Sequence, residues 1–365
     1  MDHTLQSSVA LTSKPSTSRC HCADCTRDFN INTYANSAED FFARFDKFRD
    51  SYEPFLRTNK TEPVRVAILD TGVDQVHAAV SAAEALGCFN RKQYYSWIPD
   101  TNVIRDENGH GTQCAAMLQR VAPDARIYVA RIFGGDRFDL NEAENIAKAI
   151  NHAVDKWNVD IISMSFGLRS PSKEQDNARQ QKQDNARYHK ICDSIYKAIK
   201  AAEAKDKIIF AAASNGGKND RPSFPASSSK TICIHAANGK GEDGGINPRA
   251  RSGENFMTLG IDIKSTNVQG DHVYLSGTSF ATPIAAGIAA NMLHIARNHT
   301  IIREIPRRDI GTAEGMRKMF TLMSYAKGNL SYVAPWQLWA ENWQNDKGKT
   351  AHIWSSISSV FTFNR

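Results

Sequence analysis

No uninterrupted apolar run in this chain approaches the ~18 residues that cross a bilayer, so the sequence offers no membrane span and no membrane partner. The opening residues, Met1-Asp2-His3-Thr4-Leu5-Gln6, lack the basic and apolar regions of a secretory signal. The expectation is therefore an intracellular, cytoplasmic protein. Charge of one sign is also scarce. The formal net charge is +6 over 365 residues, and no Lys/Arg block interleaves with aromatics, which argues against a nucleic-acid partner. The seven cysteines are an odd number and cannot all pair within one chain. Cys88, Cys114, Cys192 and Cys233 stand singly in apolar surroundings, as reduced core thiols do. One cluster, Cys20-His21-Cys22-Ala23-Asp24-Cys25, has the ligand chemistry for zinc but no second pair after it. Its ligands sit too close together to wrap a tetrahedron easily, so no metal is expected and the segment reads as a flexible, oxidisable tail.

What is present is enough apolar content, 41%, for one large domain with appendages. Residues 1–36 are rich in Ser and Thr and lack periodicity, as a disordered tail does. Residues 37–60 read as an amphipathic helix and linker. Ser37 is a candidate cap, and Phe41, Phe45, Phe48 and Tyr52 recur at three- and four-residue steps. This stripe is expected to pack on the main domain, or on a further domain of a longer protein. Residues 61–325 alternate apolar strands with helical patterns. Strands are expected at 65–69, 125–132, 159–165 and 207–213, and helices at 141–156 and 188–204. That order implies a mostly parallel sheet covered on both faces, a three-layer α/β/α architecture. The pentapeptide Gln175-Asp176-Asn177-Ala178-Arg179 recurs as Gln183-Asp184-Asn185-Ala186-Arg187. This polar insert, 168–187, reads as a solvated loop or a helix extension. A helix is expected at 312–323. Residues 326–365, with Trp336, Trp339 and Trp343, read as a tail lying against the domain.

Three stretches carry chemistry. Val64-Arg65-Val66-Ala67-Ile68-Leu69-Asp70-Thr71-Gly72 is an apolar strand running into an acidic turn. Asn108-Gly109-His110-Gly111-Thr112 sets a histidine between glycines at a helix start. Ser276-Gly277-Thr278-Ser279-Phe280-Ala281-Thr282-Pro283 sets a hydroxyl at the mouth of an apolar helix, where free N–H groups favour negative charge. A serine becomes a nucleophile when a base takes its proton. Each motif alone also fits an ordinary turn or helix start. Together they give the order Asp, His, Ser that characterises subtilisins.

On these motifs, and on Ala211-Ala212-Ala213-Ser214-Asn215-Gly216, the chain resembles the subtilisin-like serine proteases, peptidase family S8, from about residue 63 to about 296. The resemblance implies a serine endopeptidase acting on polypeptides through an acyl-enzyme, with no cofactor. Ser279 would be the nucleophile, His110 the base, Asp70 its orienter and Asn215 the oxyanion donor. Ser163, Ser165, Phe166, Gly167, Ala212, Ala213 and Ser214 would line the first specificity pocket, with Phe224-Pro225-Ala226 at its rim, where the family often has a cis proline. No acid is evident in these walls, so a hydrophobic or broad preference is expected.

Several residues depart from the family pattern. Ser214 replaces a usual glycine, Gln113 and Cys114 follow His-Gly-Thr, Leu259 replaces a common proline, and Asp136, Arg137 and Asp139 stand where a glycine pair is usual. Calcium sites of relatives are not recognisable. These departures keep open an alternative: a non-catalytic module that grips a peptide or partner in a protease-like groove.

Overall fold

In this computed structural model the described residues are 35–56, 62–99, 103–135, 140–169, 178–251, 253–267, 269–298 and 308–338, with 355, 357–359 and 361. The cysteine cluster at 20–25, the substituted positions Asp136, Arg137 and Asp139, residues 175–177 of the first repeat, Trp339 and Trp343 lie outside them.

Strand β1 (Arg65–Asp70) is apolar throughout its middle because it is covered twice. Val66 and Ile68 point into one hydrophobic cluster, Ala67 and Leu69 into another. A strand buried on both faces belongs inside a parallel sheet. Among the described residues the sheet has nine strands. From one edge they are β10 (Ser324–Lys327), β11 (Leu330–Val333), β7 (Phe256–Leu259), β6 (Ile232–Ala237), β5 (Ile208–Ala212), β4 (Ile161–Met164), β1, β3 (Arg126–Arg131) and β2 (Tyr94–Ser96). All neighbours are parallel except the β10–β11 hairpin.

Helices α4 (Leu140–Asp155) and α5 (Ala178–Glu203) cover one face, burying Ile146, Ile150, Ile195 and Ile199. On the other face lie α1 (Ala35–Tyr52), α2 (Ala78–Ala85), α3 (His110–Val121), α6 (Thr278–Asn298) and α7 (Ala313–Leu322). The three-layer α/β/α expectation describes this architecture. A separate antiparallel pair, β8 (Ile263–Thr266) and β9 (His272–Leu275), stands outside the main sheet. Helix α6 has the length and mean hydropathy, 1.3, of a membrane-crossing segment, but 94% of that window is buried inside the domain. It is the core helix.

Three elements differ from their sequence expectation. Helix α5 begins at Ala178, ten residues before the expected 188, because the second repeat copy is helical. Arg187 holds it to α4 through Glu144 Oε1 at 2.8 Å and Asn141 Oδ1 at 2.7 Å. Ser37 lies inside α1 and does not cap it. Its hydroxyl accepts from the Gly239 N–H at 3.2 Å, clasping the helix to the loop after β6. The sheet also continues past residue 325: β11 pairs in parallel with β7 and carries the buried Tyr332 and Val333.

The aromatic stripe of α1 docks on the domain. Phe41, Phe45, Phe48 and Tyr52 are all buried, and the Tyr52 hydroxyl meets Asn291 Oδ1 of α6 at 2.6 Å. Phe41 packs edge-on against Trp336, and Ile357 and Phe361 join the same cluster.

Candidate active site

Strand β1 ends at Asp70, which is 2% exposed. Asp70 Oδ1 accepts from the Thr71 N–H at 2.8 Å and meets His110 Nδ1 at 2.7 Å. His110 is the first residue of α3, and Asp106 builds that helix start. One Asp106 oxygen accepts from the Gly109 N–H at 2.8 Å, and the other from the Thr112 N–H at 2.8 Å and the Thr112 hydroxyl at 2.7 Å. These are the free amides of a first turn, satisfied by a carboxylate. Sequence reasoning missed Asp106. Its signal was an acid four residues before the histidine, at capping range.

The helix start and the strand end are pressed together. The Gly111 N–H donates to Thr71 Oγ1 at 2.9 Å, and a Cβ on Gly111 would lie 2.3 Å from the Gly72 carbonyl and 3.2 Å from Asp70 Cβ. Any side chain there would push the imidazole away from the carboxylate. Burial alone would weaken His110's hold on a second proton. The Asp70 charge, seconded by Cys114, outweighs it and keeps the imidazole pKa well above its ordinary value.

Ser279 lies in the first turn of α6 and is 6% exposed. Its hydroxyl is buried and has no hydrogen-bond partner among the described residues. Asn215, after β5, is held by its oxygen: Oδ1 accepts from the Thr278 N–H at 2.9 Å and from Thr278 Oγ1 at 3.1 Å. That leaves the amide nitrogen as the donor end. A Cβ on Gly277 would sit 3.0 Å from Ser279 Oγ and 3.3 Å from Asn215 Nδ2, so both groups border the space that this glycine leaves open.

Cys114 links the two halves. Pro283 has no N–H to give the Ser279 carbonyl, and the Cys114 thiol donates to that carbonyl at 3.6 Å. The same sulfur lies 3.9 Å from His110 Nδ1. Gln113, the other departure, ties α3 to the β8–β9 pair: its Nε2 donates to the Thr266 carbonyl, and the Ser265 hydroxyl donates to its Oε1 at 2.5 Å.

The expected pocket residues divide. Phe166, Gly167 and Ser214 are partly exposed, and Phe166 packs edge-on against Phe133 at 5.0 Å. Ser163 and Ala213 are fully buried, and Ser165 and Ala212 nearly so, so their side chains are withdrawn from solvent. The Phe224–Pro225 bond is cis. Sequence reasoning did not foresee that Arg169 reaches across to Ser214 Oγ at 3.3 Å and to Asp220 Oδ2 at 3.3 Å, because those partners are dozens of residues away.

The model of the subtilase family matches residues 61–319. The chain belongs to the subtilase family. Membership places it among serine proteases, whose substrate is a polypeptide. This subtilase is 27% identical over 325 residues to Subtilisin-like protease het-Q2 of Podospora anserina, across 76% of this chain and 84% of that one. It is 25% identical to Minor extracellular protease Epr of Bacillus subtilis strain 168, across 80% of this chain but 42% of that relative. Among solved structures, the subtilase superposes on the Epidermin Leader Peptide Processing Serine Protease of Staphylococcus aureus with a TM-score of 0.61 at 19% identity, covering 88% and 83% of the two chains. It superposes on a lanthipeptide protease with a TM-score of 0.61 at 18% identity, covering 85% and 97%. At such identities these structures speak for the fold.

Proposed function

We propose that this subtilase is a serine endopeptidase that cleaves polypeptides through an acyl-enzyme on Ser279. The observation that carries this reading is the 2.7 Å contact between His110 Nδ1 and Asp70 Oδ1, which turns the far nitrogen of the ring outward as a base. His110 Nε2 takes the Ser279 proton as Oγ attacks the substrate carbonyl carbon. In free enzymes such a contact is often long and tightens only in the substrate complex. Negative charge on the carbonyl oxygen meets the Asn215 amide and the Ser279 N–H. The imidazolium, steadied by Asp70, returns its proton to the leaving amine, and water then hydrolyses the ester by the reverse roles. No cofactor takes part. An extended substrate would lie along Ser165–Gly167 on one side and Ala212–Ser214 on the other, added as a strand to exposed backbone, with a hydrophobic or broad side-chain preference.

The rival is a groove that binds without cutting. Labelling by a serine-directed fluorophosphonate separates the two: covalent capture is expected in the wild type and is lost in Ser279→Ala. Peptide cleavage should vanish in Ser279→Ala, and Asn215→Leu should lower kcat by about 100- to 1,000-fold with KM nearly unchanged. That magnitude is the one a lost oxyanion donor produces in a related subtilisin, carried over to this chain. Equal turnover in wild type and Ser279→Ala sinks the assignment.

A further inference from the structure

The two stretches expected to wall the first pocket, 163–167 and 212–214, contain no charged side chain. The fold supplies a charge to them from outside. Arg169 follows the first wall by two residues and reaches the second: its Nη2 donates to Ser214 Oγ at 3.3 Å and lies 3.3 Å from Asp220 Oδ2. Both ends of this bridge are fixed. The Leu168 N–H donates to the Phe224 carbonyl at 2.6 Å, and Gly167 lies too close to the Ser223 hydroxyl for a Cβ to fit, so the first wall is pinned to the rim. The Ser214 N–H donates to Thr278 Oγ1 at 3.2 Å, which fixes the second wall to the turn that carries Ser279. The Asp220 carboxylate fills the space where Gly216 lacks a side chain, one residue past Asn215.

The bridge is open to exchange. Ser214 offers Arg169 a neutral oxygen, and a hydrogen bond to a carboxylate is roughly twice as strong. Asp220 is only a partial counter-charge, because both members of that pair are about half exposed and solvent screens them. A guanidinium presents a planar fork that matches a carboxylate, so an acidic side chain entering between the walls can take the place of the Ser214 hydroxyl. A basic side chain meets a like charge there. Apolar side chains still have the Phe166 ring, which stands partly exposed on the first wall.

We propose that Arg169 determines specificity in the first pocket: it adds glutamate to the broad preference there and excludes lysine and arginine, so the substrates include polypeptides cut after an acidic residue. Asp220 holds the guanidinium between the walls and is the charge left behind when Arg169 is removed. This assignment rests on the cleft and the cleavage proposed above.

The test uses the full chain and three fluorogenic peptides that differ only in the residue before the scissile bond: Glu, Leu or Lys. In the wild type, kcat/KM should be higher for Glu than for Lys by about tenfold. Arg169→Ala uncovers Asp220 and should reverse that order, whereas Arg169→Lys should keep it. Each comparison is a ratio within one protein, so a fraction of unfolded enzyme cancels. If Arg169→Ala does not fold, Arg169→Gln, which keeps a hydrogen-bonding amide without the charge, is read in the same way. A Glu-to-Lys ratio that is the same with and without Arg169 overturns the assignment, as does a wild-type preference for Lys. The affinities of the same peptides for Ser279→Ala read the pocket without turnover. Glu should bind more tightly than Lys there, and adding Arg169→Ala should reverse the two. That order, in a protein whose wild type cleaves nothing and takes no fluorophosphonate, keeps the role of Arg169 in binding and sinks the protease reading. Cleavage without that order sinks Arg169 and leaves the protease standing.

Discussion

Ser214 carries a side chain where the backbone, at φ 123°, suits glycine. Such a conformation costs a non-glycine residue about 1–3 kcal/mol. The hydroxyl recovers part of it through contacts at 3.3 Å with the Gly216 N–H and with Arg169, both at partly open positions. Ser214→Gly is therefore expected to raise stability by about 1 kcal/mol, read from the denaturant midpoint; a loss of stability would mean those contacts outweigh the strain. The neighbouring base makes a second prediction at this scale. A catalytic imidazole must be neutral to accept a proton, and Asp70 lifts its pKa above 6.5. In the proposed relay kcat/KM should rise with pH through a midpoint above 6.5, and Asp70→Asn should lower both midpoint and plateau. A wild-type midpoint below 6.5 contradicts the proposed charge balance. At this scale the sequence was informative about chemistry and silent about support. Asp70, His110, Asn215 and Ser279 stand in motifs whose residue types suggest the roles proposed for them. Asp106 and Cys114 carry no such label, because a cap and a carbonyl partner are defined by what lies opposite them in space.

Among elements, α1 has the clearest energetic consequence. Its outer face is polar, and its inner face is four buried rings, with Phe45 stacked on Phe41 at 6.2 Å and tilted on Phe48 at 5.4 Å. Arg120 at the end of α3 grips it with a two-pronged bond to Asp46 and lies 4.9 Å over the Phe42 ring. Phe45→Ala would leave a cavity at the centre of the stripe and should cost about 3–5 kcal/mol in global stability. A change below about 1 kcal/mol would show that α1 is dispensable to the domain. This helix was legible because its pattern is strictly periodic. The core strands β1, β3, β4 and β5 were legible as short apolar runs ended by turns. Strand β6 was not, although Ile232–Ala237 is buried throughout. His235 within it reads as a polar residue, and only the enclosing structure shows its Nδ1–H donating to the Phe256 carbonyl at 3.2 Å. The β10–β11 hairpin was missed for another reason. Half of its residues are polar or exposed, and its place beside β7 depends on a partner some seventy residues earlier.

The whole molecule answers to acid through that same His235. Burial drives its pKa down to about 4, and its Nε2 has no partner among the described residues. The unfolded chain takes up this proton near pH 6.5, and the folded one near pH 4. The sign follows: stability from this group is complete above about pH 6.5 and is lost as pH falls toward about 4, by about 3 kcal/mol in all. Denaturant unfolding at pH 7 and pH 4.5 should show this decline, and His235→Leu should flatten the slope whatever it does to the value at pH 7. An unchanged slope would place the acid sensitivity elsewhere. The architecture, three layers around a mostly parallel sheet, followed from the alternation of strands and helices. Its outer edge did not, because the last strands are specified by contacts with the middle of the chain.

The pairing of Phe41 with Trp336 brings the first described helix against a residue near the end of the 308–338 stretch. During synthesis α1 emerges from the ribosome some three hundred residues before the indole it rests on. The half-built polypeptide can seat Tyr52 once α6 is made, but the Phe41 end of the stripe stays without its indole until the later residues arrive, so the nascent chain carries a greasy flank that needs shielding in the interval.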